Sequence, residues 1–218
     1  HARNDRHLTV IPSEGSPTLP WKDCAACVGV IARHGSDDPA RPFQTLTVPG
    51  VLAPAVEDRW SDFPEKNQAL YEGVSTRAVN DAGQVMFTAL ITTSRTNAWG
   101  AETQAYLYLN TLLTLSYLRY DWNNYIRTKY PRHKLANDDV ANKYGNMQPI
   151  MTPAQGRAEA VCRMEQWMRL GLVEAPDDFK EKLTVERDAD NPNRLNWFMS
   201  PDLVNQFRIA ATKITFLL

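Results

Sequence analysis

Apolar and polar positions are patterned most regularly between Gly83 and Arg132. Gln84-Val85-Met86-Phe87-Thr88-Ala89-Leu90-Ile91-Thr92-Thr93 is rich in β-branched and apolar residues. It follows the turn signal Asn80-Asp81-Ala82-Gly83, which predicts a strand. Ser94 to Gly100 is polar and predicts a loop. From Glu102 to Lys129 there is neither Pro nor Gly. Leu109, Leu112, Leu113, Ser116, Tyr117 and Tyr120 recur at helical spacing, with Leu107, Leu115, Leu118 and Trp122 on the next arc. So wide an apolar surface predicts a helix covered on more than one side. At 1.5 Å per residue it would be roughly 40 Å long, and Pro131 ends it.

Upstream, Leu8-Thr9-Val10-Ile11 reads as a short strand, and the Pro- and Gly-containing run Ser13 to Pro20 as a loop. Trp21 to Arg33 is Ala/Val-rich, with Gly35 at a C-cap position, and predicts a helix. Gln44 to Val48 reads as a short strand before a Pro49-Gly50 turn. Pro64 to Glu72 predicts a helix, with Pro at its first position and Gly73 past its end. Val74–Val79 and Gln84–Thr93 pair as a hairpin across Asn80 to Gly83. Downstream, His133 to Pro149 is polar, with one short helical turn at Asp138 to Lys143. Thr152-Pro153 opens a helix that runs to about Leu170, an N-cap followed by Pro at N1. Its apolar side is Ala158, Val161, Cys162, Met164, Trp167 and Met168. Leu183–Arg187 and Leu195–Met199 read as strands, and Val204–Leu218 as a last long one. The expected class is α/β (α+β): an open mixed sheet packed by helices, with a long buried helix and a C-terminal β-rich segment.

A chain of 218 residues buries a good core as one large domain or two small ones. With 22% charged residues and a net charge of −1, the bulk electrostatic case for nucleic acid is gone. The most apolar window, Leu107 to Leu118, is broken by Asn110, Thr111 and Thr114, too short and too polar to span a membrane. His1-Ala2-Arg3-Asn4-Asp5-Arg6 lacks the apolar region of a secretory signal. The chain has no initiator Met and begins almost inside a strand, so it is expected to be the C-terminal part of a longer protein. Three cysteines do not make a disulfide framework and fit a reducing cytosol.

Candidate chemistry is sparse. Cys24-Ala25-Ala26-Cys27 is a CxxC, which at a helix N-terminus would have an acidified thiol. A Pro-rich loop precedes it instead of a strand and an aromatic residue, so small residues on a packed helix is the plainer reading. A zinc site needs two more ligands, and only Cys162 and His34 are on offer. His34-Gly35-Ser36-Asp37-Asp38 collects acid, base and nucleophile types, yet reads equally well as a helix end and an exposed turn. No catalytic residue, metal or cofactor is expected. Arg119, Arg127, Lys129, Arg132 and Lys134 make the end of the long helix basic. That either complements the helix dipole or offers an electrostatic contact to an acidic partner surface. In the last strand, Phe207, Ile209, Ala211, Lys213, Thr215 and Leu217 share one face. Both faces turn apolar toward the end, a hazard unless the strand is paired. It pairs either within its own sheet or with a neighbour's.

The same residues carry a family resemblance. A hairpin ending in Ile91-Thr92-Thr93 is followed by Gly100, Glu102 and a long Leu/Tyr helix. That helix closes in Tyr125-Ile126-Arg127 and Lys129-Tyr130-Pro131-Arg132. This succession resembles the contractile tail sheath proteins of phage Mu and its relatives. Arg3-Asn4-Asp5-Arg6-His7, Ser16-Pro17-Thr18, Ala40-Arg41-Pro42-Phe43, Asn67 to Val74 and Met151-Thr152-Pro153-Ala154 are similar too. The resemblance implies two domains. Residues 1–101 would be the C-terminal part of a subtilisin-like, non-catalytic α/β domain, and indeed no nucleophile-elbow signature is present. Residues 102–218 would be the sheath C-terminal domain with its terminal strand arm. The implied function is structural: a jacket of stacked subunits that contracts around a tail tube and drives it through the host envelope. Its partners would be other sheath subunits, tube and baseplate proteins, with no nucleic acid and no membrane. Its location would be the virion tail, and host cytoplasm during assembly. The alternative from another class is a cytosolic thiol oxidoreductase using Cys24 and Cys27, and a further one is an α/β hydrolase.

Overall fold

The computed structural model describes residues 3–141 and 148–215. The chain divides into two compact units, Ser116–Asn205 and the remainder. The class is mixed α+β.

The first unit is built on the expected hairpin. Strand β1 (Thr76–Val79) pairs antiparallel with β2 (Val85–Ala89), with a register irregularity between Thr76 and Arg77. The turn is closed by Asn80, whose side-chain oxygen accepts from the Gln84 amide, and by Gly83 at φ +75. Val85 and Phe87 point inward at 3% and 0% exposure, as a period of two requires. The other expected strands of this unit are present only as single bridges, Val10 to Val74 parallel and Thr47 to Met86 antiparallel. A mixed arrangement therefore flanks the hairpin, but the regular ladders among the described residues are all two-stranded, not one open sheet. Helix α1 (Pro20–Asp37) covers the hairpin. Cys27 joins Phe43, Val48, Val51, Val85, Phe87 and Leu90 in the core, with Val30 and Ile31 packed against it. Gly35 lies inside α1, not at its C-cap: a Cβ there would stand 3.1 Å from Leu113 Cδ1 and 3.5 Å from Phe43 Cζ. Its role is close packing. A short helix α2 (Asn67–Tyr71) ends at Gly73, whose φ is +80.

The long helix, α3 (Leu109–Lys129), starts seven residues later than its pattern predicts. Leu107 to Leu109 is engaged elsewhere. Thr92 N donates to Leu107 O, Leu109 N to Leu90 O, and Tyr108 bridges Ile91. The buried line of α3 is Asn110, Thr114, Leu118 and Trp122, spaced by four and half polar. Asn110 Nδ2 donates to the carbonyls of Pro39 and Arg41 at 2.9 and 2.7 Å, fastening the helix start. The leucines at 109, 112, 113 and 115 are half-buried and Tyr120 is exposed. The helix is thus covered on every side over 109–115 and mainly on one side beyond.

In the second unit, β3 (Lys134–Leu135) is followed by α4 (Asp138–Ala141), and β3 pairs parallel with β4 (Ile150–Met151). The helical turn expected there reaches residues 142–143, which lie outside the described residues. Helix α5 (Pro153–Arg169) is capped by Thr152 as its sequence predicts. Its buried face is Gly156, Ala160, Met164 and Trp167, while Ala158, Cys162 and Met168 are exposed. Strand β5 (Val173–Glu174) and helix α6 (Pro176–Lys182) follow. The hairpin of β6 (Thr184–Arg187) and β7 (Leu195–Phe198) is antiparallel. It rests on the bare backbone at Gly156, where a Cβ would meet Leu195 at 3.0 Å and Trp197 at 3.2 Å. Arg157 donates to the Leu183 and Lys180 carbonyls, capping the end of α6. Strand β8 (Asp202–Leu203) closes the unit by pairing antiparallel with β5.

Candidate subunit interface

The segment after β8 is where structure and sequence pattern part. A ladder over Val204–Leu218 is absent from the described part, 204–215. The last backbone tie is Val204 N to Leu172 O at 3.2 Å. Among the described residues, no backbone hydrogen bond joins 205–215 to another segment. A strand exists only with a partner edge, and this segment has none there. Phe207 and Ile209 are 82% and 83% exposed, and Ala211, Lys213 and Thr215 are exposed as well. Leu217 lies outside the described residues. Arg208, between Phe207 and Ile209, is half-buried, its guanidinium 4.1 Å above the Tyr108 ring centroid. Ile214, on the opposite face, is 89% exposed.

A second apolar group is displayed on a rigid loop. Asn97 Oδ1 accepts from the Trp99 and Ala101 amides, and Asn97 N donates to Ala101 O. Asn4 accepts from the Arg95 and Thr96 amides and donates back to Thr96. The loop so fixed leaves Trp99 89% exposed. Nothing in the sequence reading singled it out.

The basic end of α3 does not act as one patch. Lys129 Nζ lies 2.8 Å from Glu159 Oε2, and Tyr125 and Tyr130 donate to the same carboxylate. Burial works to raise the Glu159 carboxyl, but the bonds from Lys129, Tyr125 and Tyr130 hold it below the ordinary carboxylate range. Those bonds also raise Lys129. Arg119, Arg127 and Arg132 are exposed and make no ion pair among the described residues. Further along the same helices, Arg163 forks onto Asp121, which also accepts from Trp167 Nε1 at 2.6 Å.

The CxxC pair is split between solvent and core. Cys24 is exposed and Cys27 is 1% exposed. Cys27 Sγ donates to Asp23 Oδ1, and Asp23 pairs with Arg77 at 2.7 Å inside the unit. Burial, with the Asp23 charge beside it, pushes the Cys27 thiol up to about 12. Cys27 is therefore not the accessible, acidified thiol that a redox nucleophile requires. At the end of α1, Ser36 bonds back to Ala32 O and Asp38 organises a turn by accepting from Ala40 and Arg41. Among the described residues no group of three or more His, Cys, Asp or Glu converges on a metal position, and no helix is long and apolar enough to cross a membrane.

Apolar side chains displayed on an unpaired terminal segment and a pinned loop, beside a CxxC whose second thiol is buried, are features of an assembly protein. Residues 101–216 match the family described as phage tail sheath C-terminal domain. The chain belongs to the phage tail sheath family. It is 44% identical over 216 residues to the Mu-like prophage FluMu tail sheath protein of Haemophilus influenzae, covering 99% of this chain and 44% of that protein. Its fold is similar to a chain in the cryo-EM structure of the anti-feeding prophage baseplate. The TM-score is 0.57 and the identity 10%, over 87% of this chain and 49% of that one. A crystal structure of the sheath tail protein from Desulfitobacterium hafniense matches with a TM-score of 0.49 and 12% identity, over 76% and 37%. The chain spans less than half the length of these relatives.

Proposed function

We propose that this chain carries the part of a contractile sheath subunit that links it to its neighbours. Subunits polymerise around a tail tube as a helical jacket, and a trigger from the baseplate converts the extended lattice to a shorter, wider one. The tube is thereby driven through the host envelope. The chain has no catalytic role in this. Its partners are further sheath subunits, the tube and the baseplate, in the virion tail after assembly in the host cytoplasm. The observation that carries the reading is the terminal arm: Phe207, Ile209, Ala211, Lys213 and Thr215 stand exposed on a segment without a ladder. Such an arm satisfies its backbone by adding to a neighbour's sheet. Shared main-chain hydrogen bonds keep neighbours joined while whole domains rotate. Leu217 would continue the same face. Arg119, Arg127 and Arg132 supply an electrostatic contact to an acidic surface of a partner, whereas Lys129 is committed to Glu159.

The test uses the full-length protein. Deleting Asn205 to Leu218 is expected to abolish sheath formation in electron micrographs, with the melting temperature of the body unchanged within a few degrees. Normal sheaths from the deletion variant would sink the reading. A collapse of the melting transition would instead assign the arm to the subunit's own fold.

A further inference from the structure

We infer that Arg208 on Tyr108 is a latch: it holds the stem of the arm on its own unit and sets the point from which the arm is free to engage a second copy of the chain. The inference rests on the arm being an intersubunit tether and names the residue pair that aims it. Three observations converge on this pair. Arg208 is half-buried between two side chains more than four-fifths exposed, so the stem turns one face to its own unit and the other to solvent. Its guanidinium lies 4.1 Å over the Tyr108 ring and donates through Nε and Nη2 to Gln206 Oε1, two residues back. Beyond it, among the described residues, 209–215 are exposed and make no hydrogen bond or stacking contact.

The anchor itself is firm. Tyr108 bridges Ile91 through its backbone and directly precedes α3, so its ring is carried on the hairpin and the helix start together. The cation has no carboxylate partner among the described residues; its charge is met by a ring face and a neutral amide. Burial correspondingly works against its charged form. An ion pair would fix one geometry and weaken with salt. A planar cation over a ring can turn about the ring normal and keep its contact. That freedom suits a pivot for a tether that changes direction when neighbours rotate. It also selects the outward face: with Gln206 and Arg208 turned in, Phe207 and Ile209 are the side chains offered to the second copy.

Limited proteolysis of the chain, read by mass, tests the latch without assembly. Trypsin is expected to cut the wild type quickly after exposed Lys213 and slowly after Arg208. Cleavage after Arg208 tracks the unlatched population. Tyr108→Leu is expected to raise it about tenfold, the loss of a contact worth one decade in equilibrium. Tyr108→Phe keeps the ring and should keep the protection. Equal cutting after Arg208 in wild type and Tyr108→Leu overturns the proposal, as does a Tyr108→Phe variant that behaves like Tyr108→Leu. Should Tyr108→Leu fail to fold, Arg208→Gln with chymotrypsin answers the same question: cleavage after Phe207 must rise, and an unchanged rate overturns the latch. These readouts are independent of sheath formation. Normal sheaths from the arm deletion would remove the tether and leave a protected Arg208 standing, while unprotected Arg208 would remove the latch and leave the tether.

Discussion

Glu159 shows how much a single charged residue can carry when it is met from three sides. Its side chain is 16% exposed and gathers Lys129, Tyr125 and Tyr130, joining the end of α3 to α5 within one unit. Its carboxyl is held below the usual value, so its contribution is full above the unfolded-state pKa near 4.5 and fades as pH falls through the lower folded one. Glu159→Gln is therefore expected to cost roughly 1.5–3 kcal/mol at neutral pH, as for a hydrogen-bonded charge. The gap to wild type should close as pH drops below about 4.5, measured by chemical denaturation from pH 7 to pH 3. A constant gap would mean that the cluster does not titrate as a unit. None of this was legible in the sequence. Lys129 reads as one of a run of exposed cations, and Glu159 sits thirty residues away with nothing local to connect them. Arg77 was hidden for the same reason: in a strand of alternating pattern it looks solvent-bound, but it is 3% exposed and paired with Asp23 fifty-four positions earlier. Neither pairing has a local sequence signature.

Elements were legible where local chemistry decides them. The Asn80–Gly83 turn and the Thr152-Pro153 cap follow from side chains acting on neighbouring backbone. Faces were harder. The seam of α5 runs through Gly156 and Ala160, residues whose low hydrophobicity hides them from a periodicity search, yet they admit the β6–β7 hairpin. Helix α6 went unread because its apolar content in the core is one side chain, Phe179, although Pro176 and two acidic residues mark its start. The start of α3 was misplaced because Leu107 to Leu109 serve a bridge to the hairpin, a tertiary demand that helical spacing does not reveal. Two glycines give the elements a test. Gly29, inside α1, has no atom within 4 Å of a built Cβ, so Gly29→Ala is expected to stabilise by about 0.5–1 kcal/mol. Gly156→Val must push into Leu195 and Trp197 and should cost about 1–3 kcal/mol. Thermal melts of the two variants should move in opposite directions. A stabilised Gly156→Val would show that the hairpin yields.

At the scale of the whole molecule, each unit seals a polar cluster while large apolar side chains stand in solvent. Asp23, Arg77 and Cys27 are sealed in one unit, and Asp121 and Glu159 are saturated in the other. The exposed large apolar side chains include Phe207, Ile209 and Ile214 on the arm and Trp99 on its pinned loop. The arm was legible as an apolar terminal run, though not its lack of a ladder, since the existence of a partner edge is a property of the fold. The loop that holds Trp99 has a spectroscopic consequence. Indoles in solvent emit to the red and are reached by small neutral quenchers, whereas Trp122 and Trp167, at 9% and 2% exposure, are shielded. Acrylamide should therefore extinguish a red-emitting fraction carried by Trp99 and Trp21 and leave a blue-emitting one. Trp99→Phe should remove the larger share of the quenchable light. Because Asn97 and Asn4 fix the loop, that indole cannot escape the quencher by folding inward, so any protection gained on mixing with other subunits reports a neighbour arriving over it.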